Sequence, residues 1–229
     1  MQRKKSNPLG SIFFLVVMAG IGYLSYQLYT QYFLKSKILQ QIITRLEADS
    51  RIAEVFVTDV QFNPMLGKHM TTIKFLEYDT QGLPLLPRYF TFTGNIIQFQ
   101  SLVVRFDDKY VEAGDVLRGK SIYLFWKVFM LDGPKTEEYP ITPVNQIPDG
   151  YKIVSQKNSF EEEVWKKFWE YALSQEQKAN KGIKTAQIEA PGTKFVPGLL
   201  YTLKVEHDGG LRIDVSKIPD ILKGEKILN

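Results

Sequence analysis

The chain has 229 residues, 44% of them hydrophobic and 13% aromatic, with a net charge of +4 and a pI near 9.0. That is material for one good-sized domain plus an appendage, and the complete absence of cysteine excludes thiol nucleophiles, thiolate metal sites, disulfides and lipid attachment through cysteine. The positive balance does not indicate nucleic acid: residues 1–37 hold Arg3, Lys4, Lys5, Lys35 and Lys37 and no acid, so 24 of the 29 bases face all 25 acids in the remainder, and a body without a basic face lacks the phosphate-neutralising charge such binding needs.

In chain order, the first element is an anchor. Ser6 to Leu34 contains no charged side chain, and about 20 such residues cross a hydrocarbon core as a helix. The strictly apolar part runs from Ile12 to Leu24, and Tyr23, Tyr26, Tyr29 and Tyr32 supply rings that settle at a membrane surface. Val17-Met18-Ala19 is a poor small-x-small cleavage site, so the segment is expected to remain uncleaved. Arg3, Lys4 and Lys5 outweigh Lys35 and Lys37 across the span, which predicts a cytoplasmic N-terminus and a body outside the cytoplasm. Beyond the span, Ser36 to Ser50 has neither Gly nor Pro, and Leu39, Ile42 and Leu46 keep a helical spacing. One helix is therefore expected to leave the membrane as an amphipathic stalk whose stripe packs on the body. Scarcely two heptads stand outside the membrane, too few for a coiled-coil seam, so a homo-oligomer through the stalk is not predicted.

A short basic leader ending in Gly10, an apolar run, a continuing helix and a strand-rich body resemble the plan of type IV pilins and pseudopilins over about the first 50 residues. The resemblance implies an assembly subunit. Leu15 stands where that family usually carries a Glu five residues after the cleavage-site Gly.

Past the stalk the period changes. Ile52 to Phe62 and Met70 to Tyr78 alternate about the turn "NPMLGKH", which predicts a hairpin. "TQGLPLLP" is a punctuating loop, and strands are expected at Tyr89 to Thr93, Ile96 to Phe106 and Ser121 to Leu131. Between the last two lies "GDVLRGKS", which matches the phosphate-cradling pattern GxxxxGK[ST] and would give Gly114, Gly119, Lys120 and Ser121 to a nucleotide. Such a loop joins a buried strand to a helix whose N-terminus faces the phosphates. Here polar "DDKYVEA" precedes it and aromatic, β-branched "IYLFWKVFML" follows, so a hairpin turn is the better reading. The acid of "VFMLD" lies only about ten residues beyond Lys120, too close for a crossover helix.

"DGPKTEEYPITPVNQIPDGYKI" has four prolines and reads as a loop without regular structure of its own. A helix then starts at Ser159 with a capping box to Glu162, and Phe160, Val164, Phe168, Tyr171 and Ala172 form its apolar stripe. Trp165 and Trp169 flank that stripe; they either cover the sheet or form an interaction surface. The chain closes with "LLYTLKVEHDGGLRIDV", a hairpin about Asp208-Gly209.

The remaining candidates for chemistry are sparse. His69 and His207 sit beside turns without metal-ligand spacing. Asp107, Asp108, Glu112 and Asp115 lack the alternation of a calcium loop, and Asp59, Glu77 and Asp79 are carboxylates that a fold might bring together for hydrolysis. The sequence thus predicts an α+β protein: a basic cytoplasmic tail (1–10), a transmembrane helix (11–34), a helical stalk (35–51) and an extracytoplasmic domain (52–229), in which a mostly antiparallel sheet is covered by one long amphipathic helix and closed by a C-terminal hairpin. The expected function is binding or structural, in a cell envelope, without catalysis, cofactor or metal. Its expected partners are the bilayer, through residues 11–34, and an envelope protein, with no nucleic acid. A minor pseudopilin-like subunit and a carboxylate-dependent envelope hydrolase are the alternatives.

Overall fold

The computed structural model describes residues 8–46, 51–106, 119–132, 135–153, 159–173, 183–189, 192–205 and 210–218. The chain divides into two compact units, Met1–Gln41 and Ile42–Asn229. It is an α+β protein built from long helices and antiparallel sheets.

The first unit is the greater part of helix α1, Pro8–Leu46, 39 residues without a break. No proline or glycine stops the pattern after Gly22, and the helix continues through the expected stalk. Every side chain described between Phe14 and Tyr29 is exposed. The span expected at residues 11–34 is helical throughout, but among the described residues no helix is long and apolar enough to cross a membrane. The reason is compositional: Ser25, Tyr26, Gln27, Tyr29 and Thr30 dilute the run after Leu24, and the side chains of Ile12 and Phe13, which begin it, lie outside the described ones. The polar groups in this stretch are satisfied locally. Gln27 donates to the Tyr23 hydroxyl (2.9 Å), and the Thr30 hydroxyl donates to the carbonyls of Tyr26 and Gln27 (3.0 and 2.9 Å).

The second unit corrects the expectation of one sheet. It contains two: β10-β9-β1-β2-β3, and β6-β5-β4-β7 with β8 paired to β4. The first is formed by β1 (Arg51–Asn63), β2 (Lys68–Glu77), β3 (Arg88–Phe92), β9 (Leu199–Val205) and β10 (Leu211–Lys217). The second is formed by β4 (Ile96–Phe106), β5 (Ser121–Asp132), β6 (Lys135–Pro140) and β7 (Ile183–Glu189), with the short β8 (Thr193–Lys194). Every pairing is antiparallel.

Alternation puts Ala53, Val55, Ile73, Phe75 and Leu203 on one face of the first sheet, where they meet Phe99, Val103, Phe125 and Val128 of the second. Phe75 is the centre of this core, stacked on Phe99 at 5.8 Å and edge-on to Phe125 at 5.7 Å. The opposite face of the second sheet is covered in turn. Leu102, Val104, Phe106, Ile122 and Leu124 are buried there, and Phe106 meets Phe168 and Tyr171 of α2 (Ser159–Leu173), each at 6.1 Å. Strands buried on both faces read as unbroken apolar runs, which is why "SLVV" and "IYLF" do not alternate.

The stretch expected to be an irregular loop holds β6 and a 3-10 turn, Asp149–Tyr151. Its prolines predict a loop, yet Pro140, Pro143 and Pro148 fall at or beyond the end of β6, whose backbone pairs with β5. The closing hairpin is present as β9 and β10, with Val205 opposite Leu211; Asp208 and Gly209 lie outside the described residues.

Candidate interaction surface

The hairpin β1–β2 is longer than the sheet that holds it. β1 has 13 residues and spans about 40 Å at the usual rise. Its partner β9 accompanies it only from Arg51 to Phe56, and β3 accompanies β2 only from Thr71 to Phe75. From Asp59 to Asn63 and from Lys68 to Met70 the two strands pair only with each other, a two-stranded arm projecting past both neighbours.

A bulge sets the face of this arm. The register shifts between Val57 and Asp59, so Thr58 is the extra residue, and its hydroxyl donates to the Thr72 carbonyl at 3.3 Å. Without the shift, strict alternation after Val55 and Val57 would put Asp59 on the core side. With it, Val60 pairs with Thr71 and Phe62 with His69, on the same face as Ile73. Past the end of the opposing sheet that face is uncovered: Val60 and Phe62 are exposed, as are Met65 and Leu66 in the turn. The turn is built to hold them out. The Asn63 side-chain oxygen accepts from the N–H groups of Met65 (3.0 Å) and Leu66 (3.2 Å), and Gly67 takes φ 61° to close the loop. His69 lies edge-on to Phe62 at 5.3 Å.

The other end of the same hairpin is locked. Arg51 is fully buried, with its guanidinium 2.5 Å from Glu77, 3.4 Å from the Gly150 carbonyl and 5.0 Å from the centre of the Tyr151 ring. Arg88 approaches the second Glu77 oxygen at 3.4 Å and donates to the Ile141 carbonyl. A Cβ at Gly150 would stand 1.6 Å from Arg51 Nη2, so any side chain there displaces the guanidinium. Burial pushes the Tyr151 phenol up, so it stays a neutral donor to the Tyr123 carbonyl at 3.1 Å. Nearby, Glu161 on α2 accepts from the Ile153 N–H at 2.9 Å while Arg45, in the last turn of α1, donates to the Lys152 carbonyl. Burial raises the Glu161 carboxyl above the ordinary range, against the opposing pull of the Ile153 N–H, Arg45 and Lys152. Burial, with a 2.8 Å hydrogen bond to Glu54, likewise pushes Tyr78 up to about 12. These groups tie strands and turns together, and none presents an ionised base to solvent.

The residues singled out in the sequence are scattered. Gly119 turns with φ 69° and donates to the Phe106 carbonyl at 2.8 Å, Lys120 accepts from Phe106, and Ser121 opens strand β5 opposite Arg105. A strand after Ser121 offers no helix N-terminus to a phosphate; Gly114 lies outside the described residues. Trp165 and Trp169 are buried. Trp165 packs on Tyr151 and Phe168, and Trp169 donates to the Gln146 carbonyl at 2.7 Å, so neither ring turns a face to solvent. Asp59 is on the arm, Glu77 is paired with Arg51, and Asp79 caps its own turn by accepting from Gln81 and Leu83, each at 2.8 Å. The three carboxylates do not form a general-acid pair. His207, Asp107, Asp108, Glu112 and Asp115 lie outside the described residues, among which no cluster of metal-ligating side chains occurs.

No protein family, curated protein or solved structure matches this chain. The arm was missed in the sequence because its apolar residues were assigned to an ordinary half-buried hairpin. Its one available signal was the pair Met65-Leu66, two large apolar side chains in a turn where polar residues are usual.

Proposed function

We propose that the chain is a single-pass membrane protein whose N-terminus is cytoplasmic and whose extracytoplasmic domain binds a protein partner of the cell envelope, without catalysis. The observation that carries this reading is α1. From Phe14 to Tyr29 its side chains are exposed on every face, Leu15, Val16, Met18, Ile21, Leu24 and Leu28 among them, and no acid or base interrupts Ser6 to Leu34. A helix without charge and exposed on every face suits an apolar surrounding, and one whose Gln27 and Thr30 bond back to their own turn carries few demands for water into it. Arg3, Lys4 and Lys5 favour retention of the N-terminus in the cytoplasm. The projecting arm favours binding, since it offers the exposed apolar side chains of Val60, Phe62, Met65 and Leu66.

The absence of cysteine makes the test clean. Single substitutions Ser6→Cys and Asp208→Cys are labelled in intact cells with a thiol reagent that does not cross the inner membrane, after extraction at high pH has shown whether the chain stays with the membrane. Labelling of the Asp208 position alone is expected. A chain released by the extraction overturns the anchor, and labelling of the Ser6 position alone overturns the orientation.

A further inference from the structure

We propose that two copies of this chain associate through strand β10, antiparallel edge to edge about a twofold axis at Ile213, joining two five-stranded sheets into one. β10 is the last strand of its sheet and pairs only with β9 among the described residues. Every second residue of such a strand turns its N–H and C=O to the open side, a template for another chain.

The edges at β6 and β3 are blunted. β6 carries Glu137 and Glu138 and ends in Pro140. β3 has five residues, and β6 closes over it: the Tyr139 hydroxyl donates to the Thr91 carbonyl at 2.8 Å, and Glu137 accepts from the N–H of Thr93 at 2.9 Å. β10 has seven residues without proline. It keeps Val215 about half exposed on the core-facing side, next to Leu211 and Ile213, which pack only partly against the core.

The occupant follows from the order of side chains. In "LRIDV", residues 211–215, reversal about Ile213 sets Leu211 against Val215, Arg212 against Asp214 and Ile213 against its own copy. All three apolar residues lie on the core side, so the pairing extends the core across the axis. Arg212 and Asp214 lie on the outer side, 3.0 Å apart within one strand and each more than half exposed. Opposite a second copy the two ion pairs continue across the new ladder, where opposite charges directly facing each other are favourable. A second copy matches both the apolar row and the charges. The association draws on the sandwich and is independent of the membrane anchor.

The experiment uses the full chain in detergent. Sedimentation should show a dimer for the parent protein. Arg212→Asp sets carboxylates against each other on both sides of the axis and should weaken dimerisation at least about tenfold, with the melting temperature nearly unchanged because the residue is exposed. Combining it with Asp214→Arg restores the complementarity and should restore the dimer. Ile213→Cys should give a disulfide-linked dimer on oxidation with copper phenanthroline, while Ser216→Cys, displaced from its copy by roughly 20 Å in this register, should not. A monomeric parent overturns the proposal. So does a dimer that Arg212→Asp leaves intact, which would place the contact elsewhere, as would equal cross-linking at both cysteines.

Discussion

The two halves of the β1–β2 hairpin have the same secondary structure and opposite fates. From Arg51 to Val57 and from Ile73 to Glu77 the side chains on one face are buried under a second sheet, and an ionic cluster closes the end. From Val60 to Met70 the same face continues with apolar residues and nothing described lies over it. Burial here is decided by the length of the neighbouring strands and not by the residues of the hairpin. The bulge at Thr58 matters because it keeps both halves in phase. It turns Asp59 to water and keeps Val60 and Phe62 on the core-side face, where a hairpin that needed only stability would carry polar residues; that marks the arm as a contact surface.

The largest expected difference between the halves comes from their aromatic residues. Phe75→Ala removes the ring at the centre of the core and should cost about 3–5 kcal/mol in denaturant unfolding. Phe62→Ala removes a ring that is 57% exposed and should cost under about 1 kcal/mol. Equal costs would mean that the arm belongs to the core, and its reading as a contact surface would fall.

The charged residues should divide in the same way. Glu77→Ala strands the buried Arg51 guanidinium and should destabilise by about 3–5 kcal/mol, whereas Asp59→Ala on the arm should stay within about 0.5 kcal/mol. Replacing Arg51 and Glu77 together by apolar residues should recover much of the loss, and measuring all the variants under one denaturant series tests whether the cluster acts as a unit. A smaller effect is expected at Gly150→Ala, about 1–3 kcal/mol, as Arg51 withdraws from a Cβ placed against its guanidinium. In an Arg51→Met background the further cost of Gly150→Ala, read by thermal melts, should nearly vanish, because the smaller partner no longer meets the methyl group.

The smallest effect is one of pH. Glu161 has a folded-state pKa above its unfolded value, so its contribution to stability is fully present below the unfolded value and is lost as the pH rises through the folded one. At neutral pH the buried carboxylate is therefore a modest burden. Glu161→Gln keeps an acceptor for the Ile153 N–H without the charge. It should melt slightly above the parent at neutral pH, with the gap shrinking as the pH falls toward the ordinary carboxylate range. A gap that widens on acidification would contradict the assignment.

Much of the fold was legible because single strands announce themselves through alternation. Ile52 to Phe62, Ile96 to Phe106 and Ser121 to Leu131 were read within a residue or two of their bounds. The continuation of the helix was legible from the missing breakers between Tyr23 and Leu46. β6 and β7 were not, since "KTEEYP" and "IKTAQIE" are edge strands whose polar side chains carry no period to detect. Glu161 was equally illegible: a carboxylate in the first turn of a helix normally faces water, and only the chain from Lys152 to Ile153 folding over it gives it a buried partner.

The sequence by itself determined the elements, the uncharged helix and the absence of thiol chemistry, because these depend on local order and composition. Tertiary structure alone decided that the strands form two sheets, that Trp165 and Trp169 are interior, that Arg51 is enclosed by Glu77, Gly150 and Tyr151, and that Val60, Phe62, Met65 and Leu66 stay uncovered. Each of these turns on where a residue's neighbours from distant parts of the chain begin and end. Local periodicity can show that a face is apolar, but it carries no information on what lies opposite.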